Sequence, residues 1–383
     1  MRAALLLATA RWRQRPGALL LLAAALALAV AVPVGTNQAV QREVDSLRKQ
    51  TQDIPLVAGS GNAGQTDLVL SALDFDPRTL PTSTWSIVEA AREDVPNRTL
   101  PFHLGHRVQG QTLVGTESEV LQTLGLSLSS GRWCIRPGEV VVGAAISAED
   151  FPMGQVVASE APKKFALQSP PTQNLRIVGR CAPSGSAADQ VVWTNLTTSW
   201  VLDGFFHEHE SVTENDIDQS TQARNILSPN TPLVRDLYDR DPNKLHAHIE
   251  TSQLPIHLIR IAPENQRALS LVRANLNYAF GSTTAIPESV ADELAESFAA
   301  RARLIQLAVI IPSIGVSLLG LLVIVLDWQR RKVEHAGLRR LGADRKMLGL
   351  SFALELSGVL AIATSLTLVL AWLLSLSAAR WVI

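Results

Sequence analysis

Charged and aromatic side chains are scarce here: of 383 residues, 18% are charged and 5% aromatic, with two tyrosines and two cysteines. So little charge, beside 47% hydrophobic residues and a positive mean hydropathy, argues against an ordinary soluble domain and for a mixed membrane protein. The net charge of −1 leaves no basic excess, so no nucleic-acid partner is expected. Two cysteines, Cys134 and Cys181, exclude a disulfide scaffold but leave open either one bridge or two separate buried thiols. Catalytic motifs are missing as well. There is no Gly-x-x-x-x-Gly-Lys-Ser/Thr phosphate loop, no Gly-x-Ser-x-Gly and no His-Glu-x-x-His, so no enzyme is expected and any ATP chemistry falls to another chain.

What the chain has instead is three apolar runs of about the length that crosses a bilayer core, roughly 20 residues. Arg2, Arg11, Arg13 and Arg15 precede the first run, residues 17–34, and hold residues 1–16 in the cytoplasm. A basic start ending in Ala27-Leu28-Ala29 also fits a cleavable signal peptide; on either reading the next segment of chain is exported. Residues 304–326 form the second run, in which Ser313 and Ser317 make a small-x-x-x-small pair suited to close helix packing. Residues 350–376 carry the third, with Trp372 and Trp381 near its outer interface and residues 377–383 outside. Residues 327–349 lie between the last two runs. Arg330, Arg331, Lys332, Arg339, Arg340, Arg345 and Lys346 outnumber the acidic residues there and mark a cytoplasmic loop. Glu355, at the loop's edge, is expected at the interface and paired with an arginine.

Residues 35–303 are then the exported part. Val40, Val44 and Leu47 place an amphipathic helix over about residues 36–52. Val290, Leu294 and Phe298 place another over 287–303, opened by Pro287, and the two are suited to pair as a stalk. Between them, residues 68–73, 139–143, 174–179, 190–193 and 256–261 read as strands. Residues 116–124 and 263–276 read as helices, and 206–241 as a long polar loop. The fold class is therefore an α-helical membrane protein with a large extracytoplasmic α/β domain. His207, His209, His246 and His248 are weak candidates for a metal, since imidazoles suit zinc or copper but no diagnostic spacing accompanies them; a solvated loop is the plainer reading.

One stretch is more specific. Glu334, Leu338-Arg339, Leu341-Gly342-Ala343 and then Glu355 resemble the cytoplasmic loop and following helix of the FtsX-like, MacB-type permeases of ABC transporters, in gapless register. Residues 7–16 are similar to the interfacial helix before that family's first membrane helix. Residues 131–143 and 175–179 are similar to segments of its periplasmic core domain. Val333, His335 and Ala336 depart from the usual Arg, Ile and Gly. Such permeases have four membrane helices against three here, as in a three-helix variant, a half completed by another subunit, or a truncated frame.

The resemblance implies mechanotransmission. A separate ABC ATPase subunit, which binds the ATP and Mg, docks on a loop comprising Glu334, Gly337, Leu338, Arg339, Leu341, Gly342 and Ala343, and its closure moves the outer domain through the stalk. Leu338 and Leu341 are the expected apolar anchors, while Gly337 and Gly342 allow a close contact or a turn. No cofactor is expected in this chain. Further expected partners are a second permease, as homodimer or heterodimer, and a periplasmic adaptor. The expected location is the cell inner membrane, multi-pass. Export or extraction of a lipophilic or peptide substrate is the expected function; an FtsX-like regulator of an outer enzyme and a membrane-anchored ligand sensor are the alternatives.

Overall fold

The computed structural model describes residues 1–77, 80–160, 172–207, 217–221, 224–227, 236–239, 242–247 and 249–377. In chain order the helices and strands are α1 (Arg2–Gln14), α2 (Pro16–Thr51), β1 (Leu56–Gly59), α3 (Gln65–Asp74), β2 (Ser83–Thr84), α4 (Ser86–Asp94), β3 (Thr99–Val108), β4 (Gln111–Thr116) and α5 (Ser118–Thr123). Next come β5 (Leu128–Gly131), β6 (Glu139–Val142), β7 (Val156–Ala158), β8 (Asn174–Cys181), β9 (Val192–Asn195), α6 (Leu196–Leu202), β10 (Phe206–His207), β11 (Ile217–Thr221), β12 (Arg224–Leu227) and β13 (His246–Ala247). The chain continues through β14 (Pro255–Ile256), β15 (Leu258–Ile261), α7 (Gln266–Ala279), β16 (Thr283–Ala285), α8 (Pro287–Arg330), α9 (Lys332–Arg340) and α10 (Arg345–Ser377). Two compact units result: Met1–Lys49 with the residues from Ala291 onward, and Gln50–Val290.

In the helical unit, three stretches are long and apolar enough to cross a membrane: α2, α8 with α9, and α10. Small residues set the close approaches. A Cβ on Gly358 would stand 3.1 Å from the Trp12 indole, and one on Gly320 3.4 Å from Leu22 and Leu26. Ala23, Val359 and Ala363 are buried against Trp12, Leu19, Leu22 and Leu26, and the Thr367 hydroxyl donates to the Ala27 carbonyl at 3.3 Å. The Ser313 and Ser317 hydroxyls each donate to a carbonyl one turn back in α8, Val309 and Ser313, at 2.7 and 2.8 Å. Polar side chains link α2 and α8, Asn37 with Gln306 at 2.9 Å and, nearer the helix ends, Arg48 with Asp292 at 3.0 Å.

The α/β unit is built on a ten-stranded mixed sheet ordered β16-β1-β15-β3-β4-β9-β6-β8-β5, with β7 also on β8. β4 with β9 and β6 with β8 are parallel; the other pairs are antiparallel. Two apolar clusters form the core. One joins Leu56, Ile259 and Ile261 to α4, α6 and α7 through Val88, Trp200 and Leu276; the other surrounds Val140, Val142, Ile177 and Val192. Trp85 and Trp200 meet edge to face at 5.5 Å, and the Trp200 indole N–H donates to the Pro255 carbonyl at 2.9 Å, so the ring is buried without a stranded donor.

Residues 68–73 are not a strand but lie in α3. Leu68, Val69, Ala72 and Leu73 are buried at helical spacing, and a short apolar run alone does not distinguish the two forms. Phe75 ends the helix in the left-handed region, φ 56°. The strand expected over 190–193 is displaced to Val192–Asn195, and α7 starts at its Asn265 cap, whose Oδ1 accepts from the Ala268 N–H at 2.9 Å. Within 206–241, expected as loop throughout, the described residues include β10 and the hairpin β11–β12.

Candidate functional site

In the helical unit the loop expected between the second and third apolar runs is mostly helix. α9 ends at the Leu341 cap, and Gly342, with φ +96°, turns the chain toward Asp344 and α10. The Gly342 N–H donates to the Arg339 carbonyl and the Ala343 N–H to the Leu338 carbonyl, both at 3.0 Å. This is the paired 5→2 and 6→1 closure of a Schellman cap, so Leu341-Gly342-Ala343 has a local reason: only glycine takes the left-handed position without strain. A Cβ on Gly337 would meet nothing within 4 Å, so Gly337 makes no close contact among the described residues.

Exposure divides α9 into two faces. Val333 and Leu341 are 81% and 85% exposed, with Gly337 between them at four-residue spacing, which leaves an apolar stripe in the open. Leu338 is half-buried, Glu334 and Arg339 are exposed, and Ala343 is half-buried. His335 is buried and packs edge-on against Trp328, ring centroids 5.2 Å apart.

The start of α9 carries a buried ion cluster. Arg331 makes a two-pronged contact with Glu355, 2.6 Å from Nη1 and 2.9 Å from Nη2, and also pairs with Asp327. Arg11 of α1 stands 3.7 Å from both Glu355 and Glu334. Glu355 is only 3% exposed, so the guanidinium pair is what makes a carboxylate tolerable there. A cavity of about 220 Å³ opens beside it, lined by Arg11, Arg15, Arg330, Arg331, Asp327 and Glu355 among others.

The α/β unit holds a second buried polar group, one that no sequence motif announces. His103 and His106 are three residues apart on β3, a spacing that alternation would send to opposite faces. The register slips between them: His103 pairs with Gly115 and His106 with Leu113, so three steps on β3 match two on β4. That bulge puts both rings on one side, stacked at 5.4 Å and 15°. Asp203, just past α6, meets both: His103 Nε2 lies 2.8 Å from Oδ2 and His106 Nε2 2.9 Å from Oδ1. Glycines make the room. A Cβ on Gly105 would press on the His103 ring at 3.0 Å and the His257 ring at 3.2 Å, and one on Gly115 would stand 2.0 Å from Ser199 Oγ.

Burial by itself would raise the Asp203 carboxyl, but the two imidazoles against it outweigh that and hold it well below the usual carboxylate range. His257 is pushed down to about 3 by burial and by repulsion from His103. Its Nδ1 accepts from the Leu104 N–H at 3.2 Å, as a neutral ring can.

His207 and His246 are opposed across the small β10–β13 ribbon; His209 and His248 lie outside the described residues, as does Trp381. The Cys134–Cys181 bridge is not formed. Both are free thiols, 3% and 1% exposed, and burial pushes them up to about 12 and about 11, so they pack as small apolar side chains.

These features define a chain with a mixed α/β unit and a helical unit whose long helices could span a membrane. No family model and no curated protein matches the sequence. Among solved structures, it is similar to the extracellular domain of the noncanonic ABC-type transporter YknZ from Gram-positive bacteria, with 10% identity, TM-score 0.33, 60% of this chain and 95% of that one. It is also similar to the periplasmic region of MacB from Actinobacillus actinomycetemcomitans, with 12% identity, TM-score 0.35, 65% of this chain and 97% of that one. Neither likeness carries the functional reading, which rests on the chain's own residues.

Proposed function

We propose that this chain is the membrane-spanning permease subunit of an ABC transporter of the mechanotransmission type. In this reading a separate ATPase subunit docks on α9, and its closure moves the helices and with them an extracytoplasmic α/β unit. The observation that carries the reading is the presence on one short helix of an exposed apolar stripe, Val333, Gly337 and Leu341, and, at its start, a buried guanidinium–carboxylate clamp. An apolar stripe on a short capped helix offers a partner a surface to bury. The Arg331–Glu355 clamp ties the start of that helix to α10, so a push on α9 is passed to a helix of membrane-crossing length. The substrate class in this reading is a lipophilic or peptide molecule handled outside the membrane.

Co-purification tests it. Leu341→Asp and Leu338→Asp, separately and together, are expected to weaken association with one ABC ATPase of the host by at least about 10-fold, as for a central interface anchor. Unchanged association with every such ATPase sinks the docking assignment.

A further inference from the structure

We propose that His103, His106 and Asp203 are a binding site for a first-row divalent transition ion, with zinc as the fitting ion. The site is independent of the docking reading and lies wholly within the α/β unit. One ring nitrogen from each of His103 and His106 and one Asp203 oxygen all fall within 4.8 Å of one another, and it is Nε2 of each ring that meets the carboxylate. Two imidazole nitrogens and one carboxylate are a donor set that zinc accepts, whereas calcium and magnesium take oxygen.

Three observations favour an ion over a self-sufficient polar cluster. First, His103 and His106 are 1% and 4% exposed, and both Nε2 atoms depend on the one Asp203 carboxylate, at 2.8 and 2.9 Å and off the N–H line. Buried polar atoms ordinarily have aligned partners, and these two converge on one carboxylate without alignment. Second, Ser199 Oγ, one turn before Asp203 on α6, is also buried with no hydrogen-bond partner among the described residues. Third, Asp203 follows the last residue of α6, where the helix carbonyls disfavour an anion and favour a cation. An ion bound here would join β3 to the end of α6. Metal–ligand bonds of 2.0–2.2 Å in tetrahedral array put neighbouring ligands about 3.3 Å apart, so the carboxylate would withdraw by roughly 0.5 Å. Its side chain is 22% exposed, which gives it that freedom and leaves a side open for water as a fourth ligand. His257, with Nδ1 engaged by the Leu104 N–H and its ring edge-on to His103 at 4.6 Å, buttresses the site.

The test uses the tag-free full chain in detergent, stripped with chelator, and zinc as the probe. Calorimetry is expected to give one zinc per chain with Kd below ~10 µM. Asp203→Asn and His106→Gln should each weaken it at least about 100-fold, since loss of outer-shell partners alone costs 10–100-fold. His246→Ala should leave it unchanged. If either ligand variant fails to fold, the wild-type chain still decides, because Co(II) bound to nitrogen and oxygen at low coordination number gives intense visible bands. A wild-type chain that binds no zinc and gives no such Co(II) bands overturns the proposal. So does zinc affinity that is unchanged in a folded Asp203→Asn variant or lost in His246→Ala.

Discussion

Glu355, buried, and Asp203, partly buried, are two carboxylates that the molecule treats differently. Glu355 is held by a guanidinium in a two-pronged contact, with Arg11 nearby. Its partner is charged at any working pH, so the pair is complete. Asp203 meets two imidazoles whose nitrogens touch it out of line, and a third histidine ring stands behind them. The first is a mechanical joint between helices; the second is a donor set with capacity left over.

The largest effect should come from breaking the joint. Arg331→Leu leaves Glu355 with only the more distant Arg11, and breaking a buried pair costs about 3–5 kcal/mol, here toward the lower end. Arg331→Leu with Glu355→Leu should recover most of it. Thermal unfolding in detergent reads both, and a single variant no worse than the double would show that the clamp is not a joint. A smaller loss, about 1–3 kcal/mol, is expected for Asp203→Asn in metal-free protein, because the amide remains polar beside both imidazoles. Loss as large as for Arg331→Leu would erase the contrast between the sites. The smallest effects test the helix that carries the stripe. Gly342→Ala should destabilise by about 1 kcal/mol, since alanine resists φ +96°. Gly337→Ala should stabilise by roughly 0.5–1 kcal/mol, because the site is helical and open. Equal signs for the two would refute the cap assignment.

Much of the helical unit was legible in the sequence, because an apolar run of about 20 residues has few alternatives; that Gly342 closes a helix and not a loop was not. Pairing of Glu355 with an arginine was also foreseeable, since an unpaired carboxylate beside an apolar run is costly. Which arginine was not, because Arg331 lies 24 positions away and the choice depends on how α9 folds back. α3 was misread because six apolar or small residues in a row fit either period. His103 and His106 went unnoticed for a sharper reason: strand alternation separates residues three apart, and only the β3 bulge reunites them. Gly105 between them was the one available hint.

By itself, then, the sequence determined the three long apolar helices, the basic character of the stretch between two of them and the alternation of strands and helices in the other unit, since each follows from composition and periodicity over a short span. Tertiary structure decided which side chains share a site. A register slip of one residue, two glycines without a Cβ and the return of Asp203 from the end of α6 bring three ligand atoms within 4.8 Å. Contacts between residues about 100 positions apart are set by sheet register and packing, which no local pattern records.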